Sequence, residues 1–210
     1  MPHVVLLGDS IFDNGAYVPG EPDVVAQLRA VLPAYWSASL CAADGSVTSQ
    51  VGAQLRRLPS DATHLVISTG GNDALAHIDI LEAPARSAAE TLARLAAIGE
   101  SFESDYAVML SHVGARALPF ALCTIYNGSF PDPMMQRLAA TALAVFNDVI
   151  VRQAIRVGAP LIDLRMVCRT PEDYANPIEP SAAGGRKIAN VIARAVQQHG
   201  FEAPDTRVYV

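Results

Sequence analysis

Five apolar runs of strand length alternate along this chain with longer stretches in which apolar residues recur at helical spacing. Parallel strands joined by helices must cross over in a right-handed sense, so the alternation predicts a three-layer α/β/α domain, doubly wound around a five-stranded parallel sheet. The apolar tail Thr206–Val210 is expected to dock as an edge element. The predicted strands are His3–Leu7, Trp36–Cys41, His64–Ser68, Phe120–Ile125 and Pro160–Asp163, and the predicted helices are Pro22–Leu32, Ser49–Leu58, Pro84–Val113, Pro133–Val157 and Ser181–His199.

Composition narrows the class of protein. The 210 residues are 51% hydrophobic and 17% charged, which fits one domain over residues 1–210. The net charge of -6 lacks the basic surface that nucleic acids or anionic membranes require, so we expect neither partner. No uninterrupted apolar run approaches the roughly 18 residues of a membrane span, and none is predicted.

The cysteines and the N-terminus suggest a location. Cys41, Cys123 and Cys168 lie far apart in apolar surroundings without CxxC spacing, which is typical of reduced core cysteines. The chain starts at Met1 and enters an apolar stretch at Val4 without a cationic segment or a small-residue cleavage site. We therefore expect no secretion signal and a cytoplasmic protein.

Polar residues cluster directly after the predicted strands. In doubly wound sheets the loops at the carboxyl ends of the strands form the ligand site, so these loops should converge. The first is Gly8-Asp9-Ser10, in which Gly8 permits a tight turn and Ser10 is placed to act as a nucleophile. Taken alone, the tripeptide is equally compatible with an ordinary turn or helix-capping serine.

A second loop, Gly70-Gly71-Asn72-Asp73, strengthens the interpretation of Ser10. Paired glycines let the backbone approach a ligand, and the Asn72 amide can donate to a developing oxyanion. The main-chain N–H groups of Gly45 and Ser10 are candidates to join it. Each feature alone also fits a glycine-rich turn, so the prediction depends on their combination.

These motifs, in this order and spacing, resemble the SGNH or GDSL-type hydrolases over the whole chain. The resemblance implies a flavodoxin-like fold, Ser10 as nucleophile, and Ser10, Gly45 and Asn72 as an oxyanion hole. It also implies a serine hydrolase that cleaves a small or medium acyl ester, as esterases, lipases and deacetylases do. The expected partner is therefore a small-molecule acyl ester.

The last motif departs from that family. Members carry Asp-x-x-His, in which the histidine is the general base, whereas this chain has Asn176 and Glu179 at the two positions. In one interpretation Glu179 is the base, its pKa raised by burial, and Asn176 donates a hydrogen bond that orients it. In a second, a histidine from elsewhere, His77 above all, takes that role. In a third, the site has lost hydrolysis and the domain binds a ligand.

The remaining residues define the expected cleft. Asp9, Tyr126 and Asn127 are predicted to line it. A magnesium or phosphoaspartate site built on Asp9, Asp13 and Asp73 would leave Ser10 and Asn72 without a role. Because the sequence contains no phosphate loop, dinucleotide fingerprint or clustered His and Cys ligands, we expect no cofactor and no metal.

Overall fold

The middle layer is one parallel sheet of six strands in the order β2-β1-β3-β4-β5-β6, in a computed structural model that describes residues 1–202 and 205–210. This is the doubly wound α/β/α architecture that the alternation predicts. The strands are β1 His3–Gly8, β2 Ser37–Leu40, β3 His64–Ser68, β4 Phe120–Cys123, β5 Leu161–Ile162 and β6 Val208–Tyr209.

The predicted count of five strands was wrong by one. The tail pairs in parallel with β5, Leu161 opposite Val208 and Ile162 opposite Tyr209. Without it, the outer backbone groups of β5 would form an unpaired edge, which natural sheets avoid. The tail does dock at the edge, as its apolar character suggests, but two residues are too few for periodicity to identify a strand.

Within the described residues, seven α-helices accompany the sheet. Side chains alternate along each strand, so Val4 and Leu6 pack on one face, against α1, α6 and α7, whereas Val5 and Leu7 pack on the other, against α2, α4 and α5. The helices are α1 Val24–Val31, α2 Val51–Gln54, α3 Gly71–Leu75, α4 Ala88–Gly114, α5 Pro133–Val157, α6 Leu164–Val167 and α7 Ala182–Gln198.

Helix boundaries follow local capping chemistry. The α4 helix starts at Ala88 rather than at Pro84 because the Ser87 hydroxyl caps it by accepting a hydrogen bond from the Glu90 N–H. The predicted helix Ser49–Leu58 is only the four-residue α2 between two 3₁₀ turns. The α5 helix has the predicted bounds, with Asp132 as its N-cap.

The α5 helix is the one helix, within residues 1–202 and 205–210, that is long and apolar enough to cross a bilayer by length and composition. Its Phe146, Val149 and Ile150 are buried against α4 and the sheet. The two helices approach so closely that a Cβ on Gly99 of α4 would lie 2.6 Å from Val145 Cγ1. Packing therefore accounts for the apolar character of this helix.

Candidate active site

A cavity opens at the carboxyl ends of β1, β3 and β4, next to the point where the strand order reverses. Its empty volume is about 920 Å³, counting space open to solvent. Most of the lining side chains are apolar, and the largest share of these comes from α4, α5 and the 3₁₀ turn Ile78–Leu81. The polar lining residues are Asp9, Ser10, Asn72, His77, Tyr126, Asn127 and Glu179.

Ser10 follows β1 in a single helical turn. The Asp9 carbonyl accepts hydrogen bonds from the N–H groups of Phe12 and Asp13, both at 3.1 Å. Gly8 makes the turn possible, because its φ is +123° and a Cβ there would lie 1.6 Å from the Ser68 carbonyl oxygen. Only glycine fits this position, so the tripeptide motif has a steric cause.

Gln54, which was not identified from the sequence, holds this turn in place through two hydrogen bonds to Gly8. Its Oε1 accepts from the Gly8 N–H and its Nε2 donates to the Gly8 carbonyl, both at 2.7 Å. The same Nε2 lies 3.3 Å from the Ser46 hydroxyl in the loop after β2. A glutamine on the buried face of a short helix is the only sequence signal that pointed to it.

The predicted oxyanion donors are the N–H groups of Ser10, Gly45 and Asn72. Among the described residues, the backbone N–H groups of Ser10 and Gly45 meet no acceptor. The Asn72 amide donates one hydrogen to the Ser46 carbonyl, at 2.9 Å, which holds Asn72 against the residue that follows Gly45 and leaves its second hydrogen available. Gly45 itself does not line the cavity but adjoins it through this contact.

Glu179 is the hydrogen-bond partner of Ser10. The Ser10 hydroxyl donates to Glu179 Oε1 over 3.0 Å, and the Glu179 side chain is only 6% exposed. Its Oε2 is buried without a partner among the described residues. The pKa of Glu179 is raised to about 7. Burial is the main cause of this rise and the charge of Asp44 adds to it, whereas the hydrogen bond from Ser10 acts in the opposite direction. The carboxyl group can therefore take up and release a proton near neutral pH.

The loop that carries Glu179 is fastened on both sides. The Tyr126 hydroxyl donates to the Ile178 carbonyl at 2.6 Å, and the Asn14 amide donates to the Pro180 carbonyl at 3.1 Å. Asn14 follows the Ser10 turn and is fully buried, although its sequence position did not identify it as part of the site. Glu179 is thus held by neighbours on both of its flanks.

Asn176 does not act as predicted. Its Oδ1 accepts from the N–H groups of Ile178 and Glu179, both at 3.0 Å, and the predicted donation to the Glu179 carboxylate is not formed. Asparagine favours such turns because its side chain reaches the backbone two and three residues further on. Asn176 therefore shapes the loop, while burial rather than a polar neighbour sets the state of Glu179.

Asp9 is the second buried carboxyl group in the cavity lining. Its Oδ1 accepts from the Ile11 N–H at 3.2 Å. Burial raises its pKa to about 8, the hydrogen bond from Ile11 lowers it, and the charge of Glu179 raises it. The negative charge of an ionised Glu179 therefore opposes the ionisation of Asp9.

The other aspartates near the site hold loops together. Asp13 Oδ2 accepts from the Asp44 N–H at 3.0 Å, and Asp73 Oδ2 accepts from both the N–H and the hydroxyl of Thr48 at 3.0 Å. Within the part of the chain that the structure describes, no group of three or more His, Cys, Asp or Glu residues could hold a metal ion.

His77, the alternative base, lies in the cavity lining, but its side chain is exposed, and the Ser10 hydroxyl is bonded to Glu179 instead. This geometry favours Glu179.

His3 belongs to a Ser-His-Asp arrangement at the far end of the sheet. Its Nε2 lies 2.7 Å from the Ser39 hydroxyl and its Nδ1 lies 2.9 Å from Asp61. Ser39 stands inside β2 rather than in a turn after a strand, and it does not line the cavity beside Ser10. Ser39 therefore has the neighbours of a nucleophile but lies outside that cavity.

Comparisons with known proteins bear on the family and the fold of this chain. The family described as GDSL-like lipase/acylhydrolase matches residues 6–187. No curated protein sequence matches the chain.

Among solved structures, an extracellular lipase from Streptomyces rimosus is 19% identical, with a TM-score of 0.69 over 93% of this chain and 100% of the other. A lipase from a goat rumen metagenome is 21% identical, with a TM-score of 0.72 over 93% and 97% of the two chains. A phospholipase A1 from Streptomyces albidoflavus is 19% identical, with a TM-score of 0.69 over 92% and 99%. At these identities the likeness establishes the fold.

Proposed function

The chain belongs to the GDSL-like lipase/acylhydrolase family, and from that premise we propose that it hydrolyses small or medium acyl esters through an acyl-enzyme on Ser10, with Glu179 as the general base. The observation that carries the proposal is the 3.0 Å hydrogen bond from the Ser10 hydroxyl to a buried carboxyl group whose pKa is about 7. A serine needs a neighbouring base to become nucleophilic, and a base works best when its pKa is close to the operating pH.

In the first step, ionised Glu179 takes the hydroxyl proton as Ser10 Oγ attacks the ester carbonyl carbon. The carbonyl oxygen becomes an oxyanion, and we assign the N–H groups of Ser10, Gly45 and Asn72 as its donors. The Asn72 amide is already held by its hydrogen bond to the Ser46 carbonyl, so this donor needs little reorganisation as the charge develops.

Protonated Glu179 then donates its proton to the leaving alcohol, and the acyl group stays on Ser10 Oγ. A water molecule next gives a proton to Glu179 and attacks the acyl-enzyme, and return of that proton to Ser10 releases the acid. Atoms and charge balance over the cycle. One carboxyl group with a pKa of about 7 serves as base and acid in turn.

An organophosphate that reacts with activated serines tests the nucleophile directly. Diethyl p-nitrophenyl phosphate should transfer one diethylphosphoryl group to Ser10 Oγ, with one p-nitrophenolate released for each enzyme molecule. Intact mass gives the stoichiometry and peptide mapping gives the labelled position. Ser39, whose hydroxyl lies against His3, is the control serine. If neither serine is labelled, or only Ser39 is, the domain is not a Ser10 hydrolase.

Replacing Asn72 by alanine removes one proposed oxyanion donor. We expect kcat toward p-nitrophenyl esters to fall on the order of 10²-fold with little change in KM, because the charge exists only in the transition state. Asn72 also bonds the Ser46 carbonyl, so the melting temperature is compared first to confirm that the variant folds. A variant with raised KM and unchanged kcat would show that Asn72 binds substrate instead.

A further inference from the structure

The cavity beyond Ser10 is a large apolar space. Its walls come from the 3₁₀ turn Ile78–Leu81, from α4 and from α5. Among the described residues that line the cavity, His77 is the one polar side chain outside the loops at the carboxyl edge of the sheet. The residues that carry the inference are Leu81, Leu95, Ile98, Ala139, Ala142 and Leu143.

Only part of this lining is taken up by the core: Ile98 and Leu143 pack against the buried cluster on this face of the sheet. The buried core on this face of the sheet contains Phe102 from α4 and Phe146 from α5, but Leu95 and Ala142 are only partly buried because they face the cavity. Near the opening, Ile78 remains 48% exposed. Apolar walls with few polar groups are typical of pockets that bury an apolar ligand.

The opposite side of Ser10 is polar. Asp44 adjoins Gly45, accepts a hydrogen bond from the Tyr17 hydroxyl at 2.9 Å, and donates its own N–H to Asp13 at 3.0 Å. None of these three residues lines the apolar cavity. A hydrocarbon chain on that side would have to desolvate two carboxylates, which is unfavourable. The polar side is therefore suited to the alcohol portion of an ester and the apolar cavity to the acyl chain.

We propose that the apolar cavity between the turn Ile78–Leu81, α4 and α5 binds an unbranched acyl chain, so that the substrates are esters of medium-chain fatty acids rather than acetyl esters. This inference rests on Ser10 chemistry for its link to catalysis. The Ala139 and Ala142 side chains keep the α5 wall of the cavity open, because each leaves space that a larger residue would fill.

The chain-length dependence of hydrolysis tests the proposal. With p-nitrophenyl acetate, butanoate, octanoate and dodecanoate, kcat/KM should rise by about fourfold for each methylene buried, until the cavity is full. Ala142→Phe should remove the gain beyond butanoate, so that octanoate and dodecanoate esters show no higher kcat/KM than the butanoate ester. Ala144→Phe, on the exposed side of α5, is the matched control and should retain the wild-type profile.

The wild-type series decides the matter even if Ala142→Phe fails to fold, and Ala139→Phe offers a second block. A profile that is flat or highest for acetate overturns the proposal. A series of alkyl acetates, from ethyl to octyl, controls for orientation. If turnover rises with the length of the alkyl alcohol and not with the length of the acyl chain, the cavity holds the alcohol, and the proposal is wrong.

Binding separates this inference from the proposed hydrolysis. Titration calorimetry with dodecanoate on the Ser10→Ala protein should detect binding that Ala142→Phe weakens and Ala144→Phe does not. If esters are not hydrolysed but dodecanoate binds in this pattern, the acyl cavity stands and the catalytic proposal fails. If Ser10-dependent hydrolysis occurs with no chain-length preference and no dodecanoate binding, the cavity inference fails and the hydrolase remains.

Discussion

Ser10→Ala is expected to lower kcat/KM toward p-nitrophenyl esters by on the order of 10⁴-fold or more, to the level left by the oxyanion donors and substrate binding alone. The reason is that the substitution removes the atom that forms the acyl-enzyme. Initial rates at pH 8, with the substrate well below KM, measure the effect.

Ser39→Ala is the matched control, because the Ser39 hydroxyl also meets a side chain that can act as a base: it lies 2.7 Å from His3 Nε2, and His3 Nδ1 lies 2.9 Å from Asp61. This variant should keep wild-type kcat/KM. The melting temperatures of both variants show whether either loses stability. A Ser10→Ala protein that still forms p-nitrophenol at the wild-type rate would rule out the nucleophile, and loss of activity in Ser39→Ala alone would move the active site to the other end of the sheet.

Glu179→Gln is expected to lower kcat by roughly 10²- to 10⁴-fold, the range that general-base catalysis supplies. Glutamine keeps the shape of the side chain and can still hydrogen bond to Ser10, but it cannot accept the hydroxyl proton. For the wild-type protein, kcat/KM should rise with pH through about 7 and then level off, since the base is active only when ionised. The residual activity of the variant should lack that limb.

His77→Ala is the control for the base, and we expect it to stay nearly as active as the wild type because His77 is exposed and Ser10 is bonded elsewhere. A fully active Glu179→Gln variant would exclude Glu179 as base, and an inactive His77→Ala variant would point to the histidine.

Glu179→Gln should also stabilise the fold at neutral and higher pH. The pKa of Glu179 is about 7 in the folded protein, against a value near 4.3 for an unfolded glutamate. Between these values the folded state binds more protons than the unfolded state, so its stability falls as pH rises. Glu179→Gln removes that loss, which is about 3–4 kcal/mol well above pH 7. Differential scanning calorimetry should show a melting temperature raised by roughly 10 °C at pH 8, and no increase at pH 4.

Much of the sheet was predictable because the signals are local. The bounds of β3 and α5 follow directly from an apolar run and from a capped apolar helix, respectively. The short α2 and the two-residue β6 were not recognisable, because hydrophobic periodicity needs more residues than these elements have. Their structure depends on neighbours, as when β6 completes the free edge of β5.

The site divides in the same way. Ser10 and Asn72 are found from sequence because each directly follows a buried strand, and parallel strands end at the same edge of the sheet. The role of Asn176 was predicted wrongly because a side-chain amide can bond the backbone or a carboxylate, and sequence spacing does not choose between them. Gln54 and Asn14 were missed because their partners are distant in the chain.

The sequence by itself determined the order of strands and helices, the glycine that the Ser10 turn requires, and the presence of a glutamate where a histidine is usual. Tertiary structure alone decided that this glutamate, 169 positions from the serine in sequence, accepts a hydrogen bond from its hydroxyl and is buried there. The physical reason is that a pKa depends on solvent exclusion and on charges brought together by folding, whereas backbone conformation and hydrophobic periodicity are written in neighbouring residues.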